Sequence, residues 1–334
     1  MRSSIMAVTC LASVLGMSGC GHRESPPPTG AARPLRLGID RWPGFYPALL
    51  AEDLGLFRQQ GVDVDVRDVR IPASSDRMVA EFAAGRYDAV TVAIGDVISL
   101  LETDPDVRLV LLTDESLGAD AVLASPGIHS VADLRGRRIG THLGGFGEVF
   151  VRRMLEMHGI RGSEVTLVNV NGPDVPSRIE SGVIAAGNTW TPWTERGTRL
   201  GQRVLFTSKE TPGLILDGVV VHGDTLADPG RRSQAARLIR AWFAASSWWV
   251  RHPAEGARRL SRRLGLPPDQ VGLRGIHLLD ASENRSLLAV TTGKGSAVES
   301  IQYLVDFYVR RGTLSRRLSP NEIVDSSLLP PEGS

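Results

Sequence analysis

Asp114, Glu115, Asp120 and Asp217 stand near the points where apolar segments of the chain run out. Gathered in one cleft, such carboxylates would demand a cation or an amine-bearing ligand; spread in water, they are ordinary connector residues. Asp217, set in the apolar run LILDGVV, is the acid that most needs a partner if buried. Trp42 and Trp190 fall in expected loops at strand ends, where an indole can cover a ligand and donate one hydrogen bond. Inter-lobe packing is the plainer reading of both. Trp242, Trp248 and Trp249 instead follow a helical repeat and are expected in the core. His142 lies in a glycine-rich loop, but no Ser/His/Asp, Cys/His or two-histidine spacing surrounds it, so neither a triad nor a zinc site is indicated. Gly293-Lys294-Gly295-Ser296 lacks the upstream glycine spacing of a phosphate loop. Only Lys209 and Lys294 are lysines, which leaves few candidates for Schiff-base chemistry.

The elements that must position these residues alternate regularly. Leu35–Ile39 reads as a short strand, Tyr46–Phe57 as a helix, and Val62–Val66 as a half-buried strand by its strict alternation. Ser74-Ser75-Asp76 caps a helix reaching Phe82, Asp88–Ile94 is a buried strand, Gly95-Asp96 opens a helix, and Val107–Leu112 is a strand. After a crossover at Ser116–Phe150, further strands are expected at Val165–Val168, Val183–Ala186 and Val204–Thr207, with a return at Leu216–Val221. This pattern predicts an α/β fold with mainly parallel sheets flanked by helices. It divides the chain into one lobe of residues 35–115 plus 217–330 and a second of 116–216. Hinges are expected at Glu115, Ser116 and Gly118 on one crossing and at Leu216 and Gly218 on the other. Ligands of such sheets bind beyond the carboxyl ends of the strands, where helix N-termini offer N–H groups.

Bulk properties narrow the class. The 334 residues are 42% hydrophobic and 22% charged, with net charge +1, so nucleic acid is not the expected partner. Residues 1–19 read as an export signal, with Arg2, an apolar core and small residues before Cys20. Met17-Ser18-Gly19-Cys20 resembles a bacterial lipobox with Met in place of the usual Leu, which implies a lipid on Cys20 and a membrane anchor. Residues 20–34, rich in proline, read as a flexible tether.

Several separated motifs, in order, carry a family resemblance: LRLGIDRWPGFYPALLAEDLGLF, GRYDAVTVAIGD, GADAVLASPGIHSVADLRGRRIG, GNTWTPWTERG and LFTSKETPGLILD. Over roughly residues 35–264 the chain resembles the solute-binding proteins of nitrate/sulfonate/taurine-type ABC importers, which share the two-lobed type II periplasmic-binding-protein fold. The resemblance implies a ligand site at Trp42, Gly44, Phe45, Ser74, Ser75, Asp76, Gly95, Asp96, Gly144, Gly145 and Trp190, to which the residue reading adds Asp217. Family members usually carry Glu where this chain has Thr191, and Ser or Thr where it has Gly144-Gly145-Phe146.

The resemblance further implies a monomer, exported and lipid-anchored, that binds a small anion or zwitterion (sulfonate, taurine-like or nitrate-like) without a cofactor and without catalysis. Its permease and ATPase would be separate chains. Helix N-termini for an anion and an acid for an amine would together suit an aminosulfonate. The competing expectations are an enzyme on the same scaffold, of the pyrimidine-synthase or chorismate-dehydratase kind, and an extracytoplasmic sensor.

Overall fold

A computed structural model describes residues 33–68, 75–102, 104–289 and 297–332. The expected leader, Cys20, most of the tether, Ser74 and the Gly293–Ser296 stretch lie outside the described residues.

In chain order the strands are β1 (Leu35–Ile39), β2 (Val64–Asp68), β3 (Ala89–Ala93), β4 (Val107–Ser116), β5 (Asp120–Ala124) and β6 (Arg138–Thr141). They continue with β7 (Thr166–Asn169), β8 (Ala186–Trp190), β9 (Arg203–Thr207), β10 (Leu216–His222) and β11 (Ile276–Leu278). One sheet has the order β11-β4-β10-β3-β1-β2 and the other β7-β6-β8-β5-β9. The chain thus builds most of one sheet, crosses to the second, and comes back through β10.

Strand directions are mostly shared, but the pairing is mixed rather than mainly parallel. Parallel ladders join β1 to β2 and β3, and β6 to β7 and β8. Antiparallel ladders join β10 to β3 and β4, β11 to β4, and β5 to β8 and β9. The reversal has a topological cause. A strand entered from the side where its neighbours end must run against them, and β5 and β10 are both entered directly from a crossing.

Three local expectations are corrected. The helix expected over Tyr46–Phe57 is two pieces, Pro47–Asp53 and Leu56–Gln59, parted by Gly55 at φ 70. A left-handed residue there ends the first helix and redirects the chain. β4 continues past Leu112 through Asp114, Glu115 and Ser116, because β11, far along the chain, pairs with those three residues. Long-range pairing outweighs their low strand propensity. Likewise β8 begins where the strand expected at Val183–Ala186 was to end, since β5 pairs with it from Ala186 to Trp190.

Trp242 and Trp249, on the helix Pro229–Arg251, are fully buried against the first sheet's apolar layer, as their spacing predicts. Trp248 is instead half-buried at the rim, stacked on His252 with ring centroids 5.0 Å apart. Trp242→Ala should therefore cost about 3–5 kcal/mol of stability in a denaturant melt, from lost burial plus the cavity left behind.

Candidate functional site

Two crossings join the sheets, Leu117–Ala119 and Ser208–Ile215. Gly118 adopts φ 116, a conformation favouring glycine, and its N–H donates to Ser208 Oγ at 2.6 Å. The Ser208 and Ser116 hydroxyls meet at 2.8 Å, and Gly213 N–H donates to Glu115 Oε1 at 2.6 Å. The crossings are thus tied to each other. Of the expected hinge residues, Gly118 lies on a crossing, whereas Glu115, Leu216 and Gly218 are paired in the β4–β10 ladder and Ser116 pairs with Ile276 of β11. Gly218 is not a free pivot. A Cβ there would approach the Leu111 carbonyl to 2.6 Å, so its role is close strand packing.

The acids around this seam resolve clearly. Asp114 and Asp217 face each other across the β4–β10 ladder, and Asp120 opens β5; all three are buried. Glu115 alone of the four is partly exposed. Asp114 accepts Trp42 Nε1–H at 2.8 Å through Oδ1 and the Thr113 hydroxyl at 2.8 Å through Oδ2. Burial raises its pKa to about 6 against the opposing pull of the Trp42, Thr113 and Asp217 hydrogen bonds. Burial, then the charges of Asp114 and Asp120, hold the Asp217 carboxyl well above the usual range. The consistent arrangement keeps a proton on Asp217 and donates it to Asp114. Burial likewise pushes Asp120 up to about 7; the Ser116 hydroxyl works against this and the Asp114 charge adds to it.

A cavity of about 190 Å³ opens at the strand ends, with Trp42, Phe45, Thr91 and Asp96 on the first lobe's side. Asp120, Phe146, Asn188 and Trp190 come from the second, and Asp217 from the returning strand. Of the expected ligand residues, Trp42, Phe45, Asp96, Trp190 and Asp217 line this space. Gly44, Gly95, Gly144 and Gly145 do not, and Ser75 and Asp76 lie in the first turn of the helix Ser75–Ala83. Trp42 covers the cavity, but its N–H is committed to Asp114 instead of a ligand. Gly44 serves Asp114 too, since a Cβ there would overlap that carboxylate. Trp190 is not a loop residue. It ends β8, and its ring passes over Gly172, where any side chain would collide with it.

The glycine loop differs most from expectation. Leu143 N–H donates to Asn169 Oδ1 at 3.0 Å, Gly144 N–H to Glu148 Oε2 at 3.0 Å, and Phe146 N–H to Asp96 Oδ1 at 3.3 Å. The N-terminus of the helix Phe146–Met157 is thus capped by the protein's own acceptors, so Gly144 and Gly145 do not form an open floor for an anion. Asp96 makes this contact from the opposite lobe, and Gly95 is where the lobes approach, a Cβ there falling 2.9 Å from Phe146 Cβ. Glu148 is fully buried, 2.7 Å from Arg152 and 3.0 Å from Arg311 on the helix Ala297–Arg311.

Sequence reasoning did not single out Thr91, Phe146, Asn188 or the Asn171–Asp174 turn as ligand residues, and it left Asp120 open between a cleft carboxylate and an ordinary connector acid. Thr91 did carry a signal, as the one polar residue within the buried strand AVTVA. The Asn171–Asp174 turn carried none, because only the tertiary fold brings it to the cleft.

Asp114, Asp120 and Asp217 keep protons in the fold that the unfolded chain has released. Their contribution to stability is present below about pH 4 and is lost as pH rises through about 6 to 7. Asp120→Asn should flatten that part of the profile and raise the melting temperature at about pH 8; an unchanged slope would refute the buried, proton-holding Asp120. Gly44→Ala should cost about 2–4 kcal/mol by overpacking. A double-mutant cycle with Asp114→Ala should recover part of that loss, since the two side chains compete for one space.

These features can be set beside known proteins. A Brucella abortus (strain 2308) relative named provisionally as a binding protein is 27% identical over 161 residues. That match spans 48% of each chain, about half the length of the relative. A Bacillus subtilis (strain 168) relative, named provisionally as an aliphatic sulfonates-binding protein, is 20% identical over 328 residues, 96% of this chain and 95% of that one. Among solved structures, the alkanesulfonate-binding protein SsuA from Xanthomonas axonopodis pv. citri bound to MOPS superposes with TM-score 0.70 at 18% identity. The superposition covers 88% of this chain and 99% of that one, and it shows a shared periplasmic-binding-protein fold. Residues 42–255, well over half of the sequence, match the family described as NMT1/THI5 like, and the chain belongs to that family.

Proposed function

We propose that this chain is the extracytoplasmic solute-binding component of an ABC importer. It takes a small polar solute between its two lobes and presents the closed form to a membrane permease, whose ATPase is a separate chain. The observation carrying this reading is the position of the cavity. Both lobes and the returning strand contribute walls, and two short crossings allow the lobes to part and close. The names of a relative and of structural neighbours make sulfonates and nitrate the reference class, and taurine-like zwitterions stand beside them on the sequence resemblance alone. A lipid on Cys20 would hold the chain, as a monomer, at the outer face of the membrane.

A second reading has one specific observation in its favour. Asp217 and Asp120 hold protons near neutral pH in a cleft, which is equipment for acid–base chemistry on the same scaffold. Incubating the chain with a bound solute and recovering that solute separates the two. Unchanged solute supports the binding protein, and altered solute supports an enzyme.

Ligand binding should reduce the radius of gyration in small-angle scattering, as lobe closure requires; a bound form with unchanged dimensions would overturn the hinged mechanism. Cys20→Ala should move the exported chain from the membrane fraction to the soluble fraction, and continued membrane association would remove the lipid anchor from the proposal.

A further inference from the structure

Resting on the solute-binding reading, we propose that the solute is a small organic cation bearing N–H donors, an ammonium or amidinium, held by Asp120 and flanked by Asp217, Trp190 and Phe146. Three independent features of the cavity point this way.

The first is an unmet acceptor. Asp120 is 2% exposed, lines the cavity, and its Oδ1 has no hydrogen-bond partner. A buried carboxylate oxygen left alone is costly, and a charged N–H donor is the group that satisfies it best. Thr91 Oγ1 and Asn188 Nδ2, also buried and lining the cavity, lack partners as well. The Thr91 hydroxyl can accept from such a cation, whereas Asn188 Nδ2 only donates and calls for an acceptor atom elsewhere on the same solute; neither imposes a charge of its own.

The second is the balance of charge. The cavity wall carries five aspartates against Arg41 and His142, with Asp114 directly behind Asp217. An anion entering this space meets like charge from Asp96 and favours the protonated form of Asp120, whereas a cation favours release of the Asp120 proton and then offsets the carboxylate charge. Aromatic faces strengthen the preference. Phe146 and Trp190 both line the cavity and pack against each other, with ring centroids 6.0 Å apart and inclined at 50°, so a cation in the cavity can meet this aromatic pair from the cavity side.

The third is the state of the groups that would bind an anion. The Leu143, Gly144 and Phe146 N–H groups at the helix start already serve Asn169, Glu148 and Asp96, and the Trp42 indole serves Asp114. Those donors are already spent on the protein's own oxygens, which leaves a sulfonate the uncharged Asn188 and Thr91 groups beside the like charge of Asp96.

The test uses the full chain in thermal-shift and calorimetric titrations against a charge-sorted library. It includes benzylamine and benzamidine, the matched neutral benzyl alcohol, the matched anion benzenesulfonate, and taurine and nitrate. The amine and amidine classes should stabilise the chain while the matched alcohol and sulfonate do not. Asp120→Asn should weaken binding of the best cation by about 10- to 100-fold, the loss of a charge-assisted bond. The variant's unliganded melting temperature, not lowered, would show that it still folds. Sulfonates or nitrate binding as tightly as the amines, taurine binding where simple amines do not, or cation affinity within about twofold in Asp120→Asn would each overturn the assignment of charge while leaving the solute-binding reading intact. No stabilisation by any class would overturn the solute-binding reading beneath it.

Discussion

Asp114 is a carboxylate with no access to water, and its charge is tolerable only where donors converge on it. They come from three stretches of chain: the Trp42 indole after β1, the Thr113 hydroxyl on β4 itself, and the proton held by Asp217 on β10. Meeting that demand sets much of the surrounding geometry. The Pro43–Phe45 turn must settle onto the strand end, which needs glycine at position 44. β10 must return beside β4, and β4 must stay extended beyond its apolar run. The seam between the lobes and the floor of the cavity are therefore built by one polar cluster, placed where an apolar core would have left the cleft without charge.

The same economy governs the opposite wall. Asp96 caps the helix Phe146–Met157 and, by doing so, touches the other lobe. A single carboxylate thus satisfies a helix terminus and marks where the two lobes touch. The glycines around it provide approach distance. Gly95 lets the backbones come together, and Gly172 leaves room for the Trp190 ring to stand at the cavity edge.

The architecture was largely readable from periodicity. Strict alternation in VDVDV and the recurring strand–helix rhythm announced two α/β lobes and the return through LILDGVV. Boundaries failed where the deciding force was long-range. Asp114, Glu115 and Ser116 read as a loop because the strands that hold them extended, β10 and β11, lie far along the chain. The site was readable in part, and for a physical reason. Trp42, Asp96, Trp190 and Asp217 announced themselves by standing at the ends of strands. The expected glycine floor did not hold, because a helix N-terminus looks the same in sequence whether it faces a ligand or is closed by Glu148 four residues on. Whether a carboxylate faces solvent or a neighbouring carboxylate is likewise set by tertiary packing, so Asp120 could be noticed but not assigned.

The ion pair between Glu148 and Arg311 has a consequence for motion. Glu148 belongs to the second lobe, while Arg311 sits on the helix Ala297–Arg311, packed against the first lobe's apolar layer. The lobes are thus held by a further tie, electrostatic and separate from both covalent crossings and from the Asp96 contact. Any rotation that parts them must stretch it, leaving Glu148 with Arg152 and the Gly144 N–H. Because Arg311 is partly solvent-accessible, dissolved salt weakens this tie while leaving the buried seam at Asp114 almost untouched. Ionic strength thereby acts as a selective lubricant, easing the breathing of the cleft without loosening its pivot.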